Sequence, residues 1–188
     1  MNEVPWTWFV MRSSGLVAVG LLTVSVLLGL IGPRLRPTAR LSSISVHRAA
    51  SVAGTLLIVA HIVLALLDKW IVLDWPAALL PGVASWERWG VALGALAVDL
   101  LIVVLITTAT RLRAPQLWRR AHLLAYPVWA LAVGHGLLVG TDGAVMQGLA
   151  MVSAAVVLFG LAIRVLVRPR SVPAVPPALV GVGVGVVR

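Results

Sequence analysis

Five apolar stretches, each close to the length that crosses a bilayer, fill most of this chain and decide its fold class. They run roughly over residues 15–31, 45–67, 90–109, 121–139 and 144–167, against the ~20 apolar residues that span a hydrocarbon core. Backbone polar groups in lipid must be satisfied inside the segment, so segments of this kind are helices. Composition agrees: 61% of the residues are hydrophobic and 11% charged, whereas a soluble domain is about half apolar and about a quarter charged. The expected fold is therefore all-α, a polytopic membrane bundle of five transmembrane helices. A length of 188 residues allows one such bundle, over residues 1–170, with a flexible tail at 171–188. No soluble catalytic domain is expected beside it.

The connections carry the charge. GPRLRPTAR after the first span breaks the helix with two prolines and adds three arginines; RLRAPQLWRR follows the third. Residues 68–89, rich in Trp and Pro and of mixed charge, are too interrupted to span and are expected along the membrane surface. GTDG makes a short turn before the fifth span, and the tail carries three prolines and a Gly-Val alternation. The net charge of +9 belongs to topology and not to nucleic acid, because the arginines gather at span ends. Eleven of them, with no acid among them, lie after spans one and three and at the end of span five. The other side holds Arg12, Lys69 and Arg88 beside Glu3, Asp68, Asp74, Glu87 and Asp142. By the positive-inside rule the N-terminus faces out and the C-terminus lies in the cytoplasm. The first segment lacks a basic n-region and a cleavage site, so it is expected to be retained.

The four histidines of the chain form two pairs on two spans: His47 and His61 with thirteen residues between, His122 and His135 with twelve between. Ionisable groups in apolar spans are costly and functional when present. Spans two and four run in the same direction, so His47 meets His122 at the cytoplasmic level and His61 meets His135 at the outer level. At about 1.5 Å per residue the two levels stand about 21 Å apart. Each pair is placed to grip one haem iron from both sides, giving two stacked haems and an electron path across the membrane. Zinc fits less well, since two imidazoles leave half of its usual four-ligand shell empty. The other reading is polar packing between helices, in a haem-free scaffold or a small transporter with the histidines as a proton path. With no cysteine, thiolate-held iron–sulfur clusters, covalent c-type haem and thiol nucleophiles are excluded.

On span two, fourteen residues is close to four full turns, and Ala50, Ser51 and Gly54 are small enough to admit a flat ring. Span four is less regular, because thirteen residues on an ideal helix carry His135 off the face of His122. Pro127 removes a backbone hydrogen bond and permits local rewinding. Arg48, Arg119 and Arg120 adjoin the inner histidines, where forked donors suit haem propionates and where plain membrane anchoring is an equal explanation. Arg12 stands in the same relation to the outer haem. Asp99, midway through span three, is a candidate partner for an imidazole, a proton relay or a helix–helix hydrogen bond. Trp118, Tyr126 and Trp129 are candidates for packing around haem.

The His spacings, SVHRAAS and LWRRAHLLAYPVWALAVGHG together resemble the ferric reductase-like transmembrane domain, over about residues 15–167. Ferric-chelate reductases, NADPH oxidases and the haem subunit of periplasmic methionine sulfoxide reductase share that domain. The resemblance implies two b-type haems on His47 with His122 and His61 with His135, and electron flow from a cytoplasmic donor to an outer acceptor or partner reductase. The expected location is the bacterial cytoplasmic (inner) membrane, as a multi-pass protein. Oxidases and ferric reductases usually add a sixth span and a C-terminal FAD and NAD(P)H domain. Here the expectation is an oxidoreductase or electron-transfer subunit without that domain, fed by a separate protein or a quinol.

Overall fold

The computed structural model describes residues 6–69, 73–141 and 143–166; the tail expected at 171–188 lies outside them. Six helices follow in order: α1 (Trp6–Ile31), α2 (Pro37–Leu67), α3 (Arg88–Ala109), α4 (Pro115–Ala121), α5 (Ala125–Val139) and α6 (Gly143–Leu166). Among the described residues five segments are long and apolar enough to cross a membrane, with α4 and α5 joined into one of them. The expected all-α bundle of five spans is what forms.

Prolines set several boundaries. After Ile31 the chain tightens into a 3₁₀ turn, Gly32–Arg34, with Pro33 in it. Arg36 is extended, as the residue before a proline tends to be, and Pro37 then opens α2 at a position whose N–H would have no helical partner anyway. For this reason α2 starts eight residues before the expected boundary at Ser45. Span one likewise starts at Trp6, nine residues before the apolar run suggested, so that Arg12 lies inside it. Pro115 opens α4 in the same way, and the basic stretch after span three is partly helical.

α1 is the central helix, packing against α2, α5 and α6, while α3 packs mainly against α5. Small residues let the backbones approach, as membrane helix interfaces require. A Cβ on Gly54 would meet Leu21 and the Ala18 carbonyl of α1. The small face of Ala50, Ser51 and Gly54 therefore seats α1. The expectation that it admits a flat ring gives way to helix packing, because α1 occupies that face. The outward faces of α2 and α6, with Val52, Leu56, Val59, Met151, Leu158 and Phe159, are exposed apolar surface of the kind lipid covers.

Among the described residues between α2 and α3 there is no helix long enough to cross a membrane. This segment forms a short 3₁₀ turn at Trp75–Ala78, and its Ala77 and Ala84 pack with Val91 of α3, with Leu73 and Trp86 against them. It lies over the end of the bundle where His61 and His135 sit, and lends Leu73, Ala77 and Trp86 to the cavity there.

Candidate functional site

The four histidines come together in the two expected pairs. The rings of His47 and His122 have centroids 6.1 Å apart and planes at 68°. Those of His61 and His135 are 6.2 Å apart at 85°. One pair joins α2 to the start of span four and the other joins α2 to α5, about 21 Å further along the helix.

Three of the imidazoles are fixed by the same device. His61 donates Nδ1–H to the Met11 carbonyl of α1 at 2.8 Å, and His135 donates to the Gly90 carbonyl of α3 at 2.8 Å. His47 donates to the Ser25 carbonyl of α1 at 2.9 Å, while the Ser25 hydroxyl sits 3.2 Å from the same nitrogen and 2.7 Å from Ser51 Oγ. A carbonyl only accepts, so the proton is on Nδ1 and the lone pair is on Nε2, free to bind a metal. Metal-bound histidines are usually oriented by such a bond from the other ring nitrogen. His122 differs: its Nδ1 is buried without a hydrogen-bond partner, and its ring lies 5.4 Å from that of Trp118.

The irregular spacing on span four is resolved locally. His122–Leu124 is a 3₁₀ turn between α4 and α5, immediately before the point where Pro127 has no N–H to offer the Leu123 carbonyl. An ideal helix leaves His135 about 140° short of the His122 face. Three residues wound at about 120° each recover roughly 60° of it. The rewinding expected near Pro127 thus falls just upstream, on the histidine itself.

Around His61 and His135 is a cavity of about 290 Å³, lined chiefly by apolar residues of α1, α3 and α5 such as Leu22, Ala95, Val98 and Ala132. The fit to a bis-imidazole metal can be tested on the ring separations. With metal–nitrogen bonds of about 2.0 Å and about 1.1 Å from nitrogen to ring centre, two imidazoles on one metal stand roughly 6.3 Å apart. Both pairs meet this distance. Among the described residues no three His, Cys, Asp or Glu side chains cluster for a metal, so a closed four-ligand zinc shell is not available. A planar macrocycle that supplies its own four equatorial ligands needs only the two imidazoles.

The remaining candidates divide. Arg12 lines the cavity and stacks over the Trp8 ring at 4.1 Å. Arg48, Arg119 and Arg120 are exposed, and Arg119 Nε donates to its own helix at Pro115. Three of the imidazoles donate to backbone carbonyls and not to Asp99, which is half-buried on α3. Trp129 donates Nε1–H to Thr23 Oγ1 at 3.0 Å, and Thr23 donates to Ser153 at 3.1 Å. This chain ties α5 and α6 to α1 at a depth between the two histidine levels. Tyr126 accepts from Arg164 at 3.4 Å, which joins α5 to α6 near the other end. Sequence reasoning missed Met11, Ser25 and Gly90, the carbonyl acceptors. Their signal is indirect: Met11 and Ser25 lie fourteen residues apart, as His47 and His61 do.

A lipid-spanning helical bundle with imidazoles paired at two depths is the architecture of a membrane electron-transfer component. The chain belongs to the family of ferric reductase like transmembrane components, whose model matches residues 14–133. That match contains His47, His61 and His122 and ends two residues before His135. The family generally binds haem. Comparison with curated proteins and with solved structures returns no match.

Proposed function

We propose that this protein is a b-type cytochrome subunit that carries electrons across the bilayer through two haems, one held by His47 and His122, the other by His61 and His135. The observation that carries the reading is the pairing itself: ring separations of 6.1 and 6.2 Å, with three of four Nδ1 groups already donated to carbonyls. Bound haem would supply a one-electron iron couple; the chain supplies axial ligands, fixes their tautomer and excludes water with the apolar lining. The positive-inside rule puts the His47/His122 level toward the cytoplasm. Electrons enter there from a separate flavoprotein or a quinol and leave at the His61/His135 level to an outer acceptor or partner reductase. Arg48, Arg119 and Arg120 serve the propionates of the cytoplasmic haem, and Arg12 those of the outer one.

The test is an absorption spectrum of detergent-purified protein made with ample haem, oxidised and then reduced with dithionite. A b-type Soret and alpha band, diminished by His61→Ala and by His135→Ala, is the expected result. Colourless protein would instead favour a haem-free scaffold or transporter with the histidines as polar packing.

A further inference from the structure

The three anchored histidines share a second feature. Each carbonyl that takes an imidazole proton is followed, four residues later on the same helix, by a glycine: Met11 by Gly15, Ser25 by Gly29, Gly90 by Gly94. Each of these glycines lies under the ring its neighbour anchors. A Cβ on Gly94 would stand 2.7 Å from His135 Nδ1, one on Gly15 would stand 3.0 Å from His61 Nδ1, and one on Gly29 would stand 3.9 Å from His47 Cε1. One turn of helix separates a carbonyl from the residue four further on, so a side chain at 94 or 15 would crowd the anchored ring, whereas 3.9 Å at 29 is an ordinary contact. Gly20, on the same α1, has nothing within 4 Å of such an atom, so closeness to histidine is specific to the three.

The fourth position breaks the rule. Gly15 and Gly29 are fourteen residues apart on α1, matching the spacing of the histidines on α2; fourteen residues on from Gly94, α3 carries Thr108. The histidine at that level of span four is His122, whose Nδ1 has no partner.

We infer that Gly15 and Gly94 are positioning residues, which clear a carbonyl so that His61 and His135 can be anchored to it, that Gly29 leaves His47 in ordinary contact only, and that His122 is the one histidine of the four without an anchoring carbonyl. The inference rests on the two-haem reading above. Its consequence is an inequality between the levels: the outer haem has two anchored ligands, the cytoplasmic haem one. Second-sphere hydrogen bonds to metal-bound histidine are worth about 10- to 100-fold in affinity, so the cytoplasmic haem is the one released first.

The experiment uses the full-length, haem-loaded protein in detergent, with haem loss to excess apomyoglobin followed by absorbance and each phase assigned by its absence in His47→Ala or His135→Ala. Gly94→Ala speeds loss of the outer haem about 10-fold or more, Gly15→Ala less, Gly29→Ala least for its own haem, and Gly20→Ala behaves as wild type. The low-spin electron paramagnetic resonance signal of the outer haem shifts in Gly94→Ala, a change that general destabilisation does not produce. Equal loss rates and unchanged signals in Gly94→Ala and Gly20→Ala would overturn the inference, as would wild-type protein that releases the outer haem first. If Gly94→Ala does not fold by size exclusion and circular dichroism, Gly15→Ala against Gly20→Ala decides on the same terms. Wild-type protein that binds no haem sinks the underlying reading, and is recognised before any glycine variant is made.

Discussion

The imidazoles of His61 and His135 face each other nearly at right angles, at 85°, because each is held by a carbonyl on a different helix. Met11 belongs to α1 and Gly90 to α3, so neither ring is free to rotate into the plane of the other. His47 and His122 are also steeply inclined, at 68°. Imidazole planes crossed in this way would make the orbitals of a haem iron held between them nearly degenerate. The ferric protein is therefore expected to give strongly anisotropic low-spin resonance signals, with the larger anisotropy from the outer level. A rhombic signal of the parallel-plane type would contradict these ring orientations.

Each level has one histidine from α2 and one from span four, and the two levels share no histidine. On the two-haem proposal, replacing one histidine should therefore remove one haem and leave the other. His135→Ala and His61→Ala are each expected to lower the haem content from two per protein to one, measured as the pyridine haemochrome against protein mass. His47→Ala should do the same to the other haem, and the double variant His47→Ala/His135→Ala should have none. Loss of both haems from a single substitution would mean that the levels are not independent.

Much of this architecture is legible in the sequence, and its gaps have physical causes. The five spans follow from hydrophobic length alone, because lipid admits no other solution for a lone apolar segment. The pairing of His47 with His122 and His61 with His135 follows from rise per residue and a common helix direction. Boundaries are less legible: α2 begins at Pro37 and not near Ser45, since residues 38–45 mix polar and apolar side chains and are helical without forming an apolar run. The face of Ala50, Ser51 and Gly54 is small enough for a ring yet seats α1, because small residues suit both uses and only packing distinguishes them. The carbonyl anchors were invisible, as every residue has a carbonyl. What marks these three is the glycine a turn later, and that signal needs the neighbouring helix to give it meaning.

Trp129 gives a prediction for stability separate from the haem ligands. Its indole N–H bonds to Thr23, which in turn bonds to Ser153, so one substitution loosens three helices. Trp129→Phe keeps the aromatic bulk and removes the donor. Interhelical hydrogen bonds in membrane proteins contribute about 0.6 kcal/mol on average, and the expected loss is roughly that, read as a small drop in the midpoint of thermal unfolding in detergent. Thr23→Val, which also strands Ser153, should cost more than Trp129→Phe. The reverse order would show that the network does not run through Thr23.

The arginines beside the histidines can be separated into two roles. A positive charge near a haem propionate favours the reduced, less cationic state of the iron, so its removal lowers the midpoint potential. On the two-haem proposal, Arg119→Gln and Arg48→Gln are expected to lower the potential of the haem at the His47/His122 level in a redox titration and leave the one at the His61/His135 level unchanged. Arginines that only anchor the helix end would leave both potentials alone.

Orientation is testable by labelling, because the chain contains no cysteine and any thiol introduced is the only one. Thr38, at the start of α2, and Ser85, before α3, are both exposed and lie at opposite ends of the bundle. Eleven arginines gather on the side of Thr38, against two arginines and one lysine on the other, an asymmetry that normally fixes topology. Ser85→Cys should react with a membrane-impermeant maleimide in intact cells, and Thr38→Cys only after the membrane is opened. The opposite pattern would reverse the direction of electron flow, since the level that meets the donor would then be His61 with His135.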